Sequence, residues 1–329
     1  PALADDSAVE LMYHRIGENR YPATNIKVEQ FEAQLALLEN EDFSVVPLAD
    51  LLAALTDGKS LPPKTVVITI DDAYRSVYEV AYPLLQRYGF PFTVFVATEP
   101  VDTGLPDYMS WDQMREMARN GASFANHGAS HNSAIERLEG ESDKDRIKRV
   151  LADVGQGRTR LAEELEPVPN VFAYPYGEYD GTIAELLQTA GYICFGQQSG
   201  AVGSGSDLRA LPRFPIAEAY ADLGEFRVKM NSLPMPVVAV IPWEPVTSDT
   251  RPEITITLGE TDAHLGKLAC FVGGQGRVPV RWIAEGKRFT VRPERPLAVG
   301  RQRVNCTAPR NDGRYIWFSH PWFVGASRP

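Results

Sequence analysis

The chain has 329 residues, 44% of them hydrophobic, which is enough for one large and one small domain, each with an apolar core. Its formal net charge of −10 argues against a nucleic-acid partner. No apolar segment approaches the roughly 20 residues needed to cross a bilayer, so we expect no membrane span. The first residue is Pro1 rather than Met, and we expect that an upstream segment was removed.

Up to residue 230 the predicted elements alternate between strands and helices. The predicted strands are 9–13, 43–46, 65–70, 92–96, 123–125, 171–173 and 192–195. The predicted helices are 28–40, 48–55, 77–88, 144–164 and 181–190, with another that begins at the capping box of Ser110 and stops near Gly121. Repeated strand–helix order implies a parallel sheet. With about seven strands, the sheet is predicted to close into a (β/α) barrel over residues 1–230.

The pattern changes after residue 230. Residues 232–236 are Pro-rich and are predicted to be a linker. Short alternating runs follow at 237–241, 254–258, 267–272, 278–283, 288–291, 300–307 and 315–318. Their spacing predicts an all-β sandwich of about seven strands over residues 231–329. This part has a net charge of +5 and the rest has −15, an asymmetry that supports two domains.

Two cysteines of the C-terminal part, Cys270 and Cys306, lie in predicted strands with Trp282 between them. That order is typical of an immunoglobulin-like sandwich with a disulfide between its two sheets. Two buried free thiols would give the same sequence, so both alternatives stand. Cys194 is predicted to be a buried strand residue.

Two carboxylates and two histidines form the main candidate site. Asp71 and Asp72 directly follow the apolar strand 65–70, and His127 and His131 lie four residues apart further on. One carboxylate and two imidazoles suit a divalent metal. The other carboxylate would remain beside the metal, where it could act as a base toward water. Solvated or packed side chains are the simpler alternative, but the combination favours metal-assisted hydrolysis.

Other polar candidates also follow predicted strands, namely His14, Pro175-Tyr176 and Arg213. In a (β/α) barrel the carboxyl ends of the strands form one rim, where active sites are built. We therefore expect these residues to converge with the carboxylates and histidines. His14 could equally be a packed residue, whereas the Leu-Pro-Arg context slightly favours Arg213 as a buried partner of Asp71.

These motifs resemble those of the polysaccharide deacetylase family, the NodB-homology or family-4 carbohydrate esterases. Thr69-Ile70-Asp71-Asp72 is similar to the first motif of the family, which implies that Asp71 is the general base and Asp72 a metal ligand. The segment from His127 to His131 is similar to the second motif, which implies two further ligands. Gly128 departs from this motif, because a hydroxyl residue usually braces the loop there. The resemblance also implies a distorted seven-stranded barrel.

Three more segments match in part. Ala173-Tyr174-Pro175-Tyr176-Gly177 is similar to the third motif, with Ala173 in place of Arg. The resemblance implies that the Tyr176 backbone N–H stabilises an oxyanion, and we expect Tyr174 and Pro175 to lie against substrate. Packed aromatic side chains are the alternative for Tyr174 and Tyr176. Leu211-Pro212-Arg213 resembles the fourth motif, whose Arg orients the base. Met12-Tyr13-His14 resembles the opening strand of the poly-N-acetylglucosamine deacetylase-like subgroup, and we expect His14 to contact substrate.

The resemblance implies a metal-dependent hydrolase that removes acetyl groups from an N-acetylated polysaccharide outside the cytoplasm, whether periplasmic, at the cell surface or secreted. The expected metal is Zn²⁺, with Co²⁺ and Ni²⁺ as alternatives. A glycan-binding protein without activity and an O-acetyl esterase are the rival functions. The proton donor to the leaving amine is unassigned, with His264 and His320 as the remaining candidates. We expect the β domain to hold glycan beside the barrel and not to complete its active site.

Overall fold

The computed structural model describes residues 6–325. Its N-terminal part contains eleven strands: β1 Ser7–Tyr13, β2 Arg15–Ile16, β3 Asn25–Ile26, β4 Ser44–Val45, β5 Thr65–Asp71, β6 Thr93–Val96, β7 Ser123–Asn126, β8 Val171–Ala173, β9 Ile193–Phe195, β10 Ala201–Gly203 and β11 Phe214–Pro215. Its α-helices are α1 Val28–Asn40, α2 Leu48–Asp57, α3 Tyr82–Tyr88, α4 Thr98–Asp102, α5 Trp111–Arg119, α6 Asp143–Glu164, α7 Gly181–Thr189 and α8 Leu223–Met230. No helix among residues 6–325 is long and apolar enough to cross a membrane.

The central sheet has the strand order β10-β1-β5-β6-β7-β8-β9, in which β1 and β5 to β9 run parallel. Strand β11 pairs with β1, and a backbone bridge between Phe195 and Leu211 joins the preceding segment to β9. The sheet therefore curls back toward itself as a half-barrel of parallel strands, and the predicted α/β class is confirmed. The predicted closed (β/α) barrel is instead a half-barrel, in which β10 is antiparallel to β1 and β4 pairs only with the start of β5.

Alternate residues of the parallel strands pack on two different faces. Val66 and Ile68 share a cluster with Phe31 and Leu85 of the surrounding helices. Val67 instead shares a cluster with residues of β1, β6, β7, β8 and β9, which is the inside of the curl. Because β5 is buried on both faces, it is a continuous apolar run that ends in the two carboxylates.

The register of β1 and β5 determines what reaches the rim. Tyr13 lies opposite Ile70, so the next residues, His14 and Asp71, emerge side by side at the carboxyl ends of the two strands. The same rim receives the ends of β7 and β8, which precede His127 and the turn at Tyr176.

The C-terminal part contains ten strands: β12 Leu233–Pro234, β13 Val237–Ile241, β14 Val246–Thr247, β15 Ile254–Leu258, β16 Ala269–Val272, β17 Gly276–Val278, β18 Val280–Ala284, β19 Arg288–Val291, β20 Gly300–Pro309 and β21 Tyr315–Val324. One sheet has the order β12-β21-β20-β16-β17 with β14 beside β21, and the other has the order β13-β15-β19-β18. Buried side chains from both sheets, such as Val304 and Phe289, form one hydrophobic cluster. We call residues 233–325 the β region.

The predicted linker is instead part of the fold. Leu233–Pro234 forms strand β12, which pairs with Ile316 and Trp317 of β21, and Leu233 is only 7% exposed. Proline is compatible with such a short strand at a sheet edge, where its missing N–H is not needed. The Trp317 ring also packs against Phe214 of the half-barrel at 5.2 Å between centroids, so an apolar contact joins the two parts.

The structure resolves the alternatives left open for the cysteines. Cys270 and Cys306 form a disulfide, and both are fully buried. They lie directly opposite each other on the neighbouring strands β16 and β20, so the bond lies within one sheet. The expectation of a disulfide between two sheets was wrong, because sequence spacing does not reveal whether two strands pair or face each other. Cys194 is a free buried residue of β9, as predicted.

Candidate active site

Asp72, His127 and His131 converge at the rim. The Asp72 Oδ1 atom lies 3.2 Å from His127 Nε2 and 2.9 Å from His131 Nε2. One ligand atom of each residue lies within 4.8 Å of the other two. The triad contains two buried residues and one that is partly exposed, so it is open on one side.

The tautomer of His127 shows why this triad suits a cation. Its Nδ1 lies 2.7 Å from the carbonyl oxygen of Ala173, which can only accept, so Nδ1 carries the proton. In the neutral ring Nε2 then presents a lone pair to the Asp72 carboxylate, and the two acceptors repel each other. The buried Asp72 Oδ1 has no hydrogen-bond partner among the described residues. A bound cation satisfies both atoms, and a backbone carbonyl behind a ligating histidine is the usual support for such a ligand.

The pKa shifts in the triad show that the charges of its members are strongly coupled. Burial alone would raise the pKa of Asp72, but its contacts with His127 and His131 hold that pKa well below the usual value. Burial alone would lower the pKa of His127, but the Asp72 and Asp71 carboxylates raise it. The carboxylate therefore stays ionised and the cluster favours positive charge.

The backbone at the rim is held in an unusual conformation. Positive φ angles occur at Asp72 (76°), Ala73 (57°), His131 (60°) and Tyr176 (60°). A left-handed conformation costs free energy for any residue with a side chain, and such residues concentrate at functional sites. Here they turn a carboxylate, an imidazole and a peptide group toward one point.

Asp71 makes a bidentate ion pair with Arg213. Arg213 donates to its two carboxylate oxygens at 2.7 and 2.8 Å, and both side chains are fully buried. Further donation to Gly196 O at 3.0 Å and Thr69 Oγ1 at 3.2 Å fixes the guanidinium. Although burial opposes ionisation, Arg213 lowers the pKa of Asp71. The carboxylate is thus charged and oriented.

Two residues expected near substrate are buried. The Tyr174 side chain is fully buried, packs against Phe172 and Tyr179, and donates to Arg209 O at 3.0 Å. Pro175 is buried in the turn that follows β8. A substrate contact by the Tyr174 side chain was therefore a wrong expectation, since alternation along β8 points it toward the helices. Tyr176 is the residue of this segment that faces outward, with 42% of its surface exposed.

The histidine loop has a brace that sequence reasoning missed. Asp153 of α6 accepts hydrogen bonds from Ala129 N at 3.1 Å and Ser130 N at 2.9 Å. Gly128 has a φ of +85°, and a Cβ placed on it would lie 2.4 Å from the Asp153 carboxylate. The carboxylate thus occupies the space where a side chain at position 128 would lie. No local signal could have found it, because Asp153 lies 24 residues from Ala129.

His14 lies at the rim, whereas His264 and His320, the two histidines considered as proton donors, lie in the β region. Burial lowers its pKa, while the nearby Asp72 and Asp71 act in the opposite direction. His320 packs against Trp322 within the β region, and burial lowers its pKa to about 4. His264 donates to Asn311 Oδ1 at 2.6 Å on the exposed surface of that region.

A buried carboxyl, Glu10, lies inside the curl next to the ion pair. It lies opposite Val67 in the register of β1 and β5. Both its oxygens are buried without a hydrogen-bond partner among residues 6–325. Burial raises the pKa of Glu10 to about 8, with Arg213 opposing and Asp71 adding to the shift. Because Glu10 is neutral at pH 7, it does not compete with Asp71 for an ion pair with Arg213.

We expect Glu10→Gln to change the pH dependence of stability. The pKa of Glu10 is about 8 in the folded protein and 4.5 for the free group. As pH rises between these two values, such a carboxyl lowers the free energy of unfolding. The free energy of unfolding of the variant, relative to the parent, should therefore increase by more than about 1 kcal/mol between pH 5 and 8.5. Urea titrations at both pH values measure it, with exposed Glu39→Gln as the control. An unchanged difference would contradict the buried, neutral state of Glu10.

The comparison with known proteins agrees with this geometry. Residues 58–195 match the family model described as polysaccharide deacetylase. This segment of the chain is therefore similar to the polysaccharide deacetylase family. Among its relatives is the poly-β-1,6-N-acetyl-D-glucosamine N-deacetylase of Escherichia coli (strain K12), which is 27% identical in an alignment that covers 59% of this chain and 34% of the relative. The protein of the same name from Staphylococcus aureus (strain MRSA252) is 24% identical over 65% of this chain and 80% of its own.

A solved structure extends the likeness to the fold. IcaB from Ammonifex degensii aligns with a TM-score of 0.58 and 28% identity, covering 67% of this chain and 96% of IcaB. The family match ends at residue 195, so it includes the triad and Tyr176 but not Arg213. The chain spans about a third of the length of the Escherichia coli relative.

Proposed function

We propose that this chain is a member of the polysaccharide deacetylase family, and that it hydrolyses acetamide groups of an N-acetylated glycan and releases acetate. The observation that carries the proposal is the Asp72–His127–His131 triad beside the ionised Asp71, all at one rim of the half-barrel. The names of the relatives favour a β-1,6-linked N-acetylglucosamine polymer as the first substrate to test.

The triad is the proposed metal site. Two histidines and one carboxylate leave a position open, which is the pattern of catalytic Zn²⁺, and Co²⁺ or Ni²⁺ would accept the same ligands. When bound, such an ion would lower the pKa of a water molecule and polarise the acetamide carbonyl.

The residues around the triad have separate roles in this proposal. Asp71 accepts the proton that water loses as it attacks the carbonyl carbon, and Arg213 holds the carboxylate in place. The Tyr176 backbone N–H donates a hydrogen bond to the developing oxyanion, a role that needs a fixed peptide group and no particular side chain. Hydrolysis then yields acetate and a glycan amine.

His14 is the proposed proton donor to the leaving amine. It emerges beside Asp71 at the end of β1 and is the remaining imidazole of the rim. We expect His14→Gln to lower kcat by roughly 10²–10⁴-fold while the metal content stays unchanged. Acetate assays with metal analysis measure both, and His264→Gln removes an exposed histidine as the control. A kcat for His14→Gln close to that of the parent would show that a group other than His14 donates the proton to the leaving amine.

We further propose that residues 1–230 form the catalytic domain and residues 231–329 an immunoglobulin-like accessory domain. The two sheets around one core support this interpretation of the β region. Because the relatives are named for a polymer of N-acetylglucosamine, we propose a location outside the cytoplasm.

Acetate release from a β-1,6-linked N-acetylglucosamine oligomer tests the function. We expect release by the parent, its loss after treatment with a chelator, and its return after addition of Zn²⁺. Oligomer binding without acetate release would favour the inactive glycan-binding alternative. Release from O-acetylated glycan alone would favour the esterase.

A further inference from the structure

An arginine of the β region reaches the rim of the half-barrel. Arg301, on strand β20, donates from Nη1 to the carbonyl oxygen of Tyr176 at 3.1 Å. Its guanidinium carbon lies 5.7 Å from the centre of the Tyr176 ring. Its Nε lies 3.9 Å from the carboxylate of Glu178, which is itself hydrogen-bonded to Ser133. The Arg301 side chain therefore contacts the backbone and the ring of Tyr176 and lies near the carboxylate of Glu178, two residues further along the chain.

The turn that Arg301 contacts faces the proposed metal ligands. The Tyr176 ring packs edge-on against the His131 ring at 4.7 Å between centroids. Tyr176 has a φ of 60°, which is unfavourable for a residue with a side chain, and its ring is substantially exposed. Such a conformation persists only when its surroundings hold it. His131 supports the ring from the half-barrel, and Arg301 supports the carbonyl group from the β region.

We propose that Arg301 is a positioning residue of the deacetylase, so that the β region completes the active site. The inference rests on the proposed function, in which the Tyr176 N–H stabilises the oxyanion. Arg301 fixes the carbonyl at one end of Tyr176 and thereby the orientation of the peptide group at the other. This differs from the expectation that the β region only holds the polymer beside the barrel.

The surroundings of Arg301 define the main alternative. The turn and strand β20 border a cleft of about 350 Å³, which is also lined by Gln197, Tyr220 and Arg303. An arginine that contacted glycan in this cleft would contribute to substrate binding. Its loss would then raise KM on long oligomers and leave kcat unchanged. An arginine that orients Tyr176 contributes in the transition state, so its loss lowers kcat on short substrates too.

The experiment compares full-length Arg301→Ala, Arg301→Lys and Arg303→Ala with the parent on an N-acetylglucosamine dimer and on a long oligomer. Arg303 lies two residues along the same strand and borders the same cleft, so Arg303→Ala removes the same charge without the Tyr176 contact. We expect Arg301→Ala to lower kcat at least roughly tenfold on both substrates, with KM within about twofold. Arg301→Lys and added free guanidinium should each restore part of kcat. Arg303→Ala should stay within about twofold of the parent in kcat.

Hydrogen–deuterium exchange across residues 174–178 gives a readout that does not depend on activity. We expect faster exchange in Arg301→Ala than in the parent or Arg303→Ala, with unchanged Zn²⁺ affinity. Parent-like exchange and kcat in Arg301→Ala would overturn the proposal, as would a rise in KM confined to the long oligomer. A parent that releases no acetate would instead contradict the proposed function, and the exchange result would still decide whether Arg301 holds the turn.

Discussion

Replacing Asp71 by Asn is expected to lower kcat by roughly 10²–10⁴-fold while the metal remains bound. The amide has nearly the same volume as the carboxylate but cannot take a proton from water. Acetate release and metal content measure the two parts of this prediction. Turnover within about twofold of the parent would remove Asp71 as the general base.

Folding must be measured for the same variant. Asn at position 71 leaves the buried Arg213 without its ionised partner, and breaking such a pair costs roughly 3–5 kcal/mol. We therefore expect a lower melting temperature, and kinetics should be compared where the variant is folded. Asp50→Asn removes an exposed carboxylate on α2 and should leave both stability and kcat near the parent values.

Removing a ligand of the triad is expected to abolish metal binding and activity together. Asp72→Ala and His131→Ala each take one of three ligands, and we expect metal affinity to fall by at least roughly 10²-fold. The ligands lie at the rim and not in the apolar core, so the fold should persist. His131→Ala is the cleaner variant because its side chain is 20% exposed, compared with 1% for His127.

Metal content after dialysis, acetate release and circular dichroism measure this prediction. His264→Ala serves as the matched control, since it removes an imidazole from the exposed surface of the β region. Full metal occupancy with full activity in either triad variant would show that the metal site lies elsewhere.

Local sequence was sufficient to predict several elements of the half-barrel, including the strand that precedes Asp72. Strand β5 is predictable because a parallel strand buried on both faces is a continuous apolar run. Helix α1 occupies residues 28–40 as predicted, because its apolar residues recur at helical spacing. The placement of Asp71 and His14 after strands also follows, since in parallel strands all carboxyl ends meet at one rim.

Contacts between distant segments were not predictable in the same way. Along β8, neighbouring side chains point to opposite faces of the sheet, but the sequence does not reveal which face lies inside the curl. The buried position of Tyr174 therefore became clear only from the structure. The brace from Asp153 to the loop of Gly128 depends on how α6 packs, and no local pattern encodes that packing. The composition of the Pro-rich segment at Leu233 predicts a linker, because the sequence does not reveal that this segment pairs with β21.

The sequence by itself determined the α/β class, the family resemblance and a set of residue types that suits metal-assisted hydrolysis, because these depend on periodicity and on short motifs. The tertiary structure shows the pairing of Arg213 with Asp71 across 142 positions, which the sequence motif had favoured, and it alone decided that Arg301 of the β region contacts the turn at Tyr176. Both contacts depend on the curl of the sheet and on the docking of the β region. The curl and the docking arise from packing between segments that are distant in the chain, and no local sequence pattern encodes how such segments align.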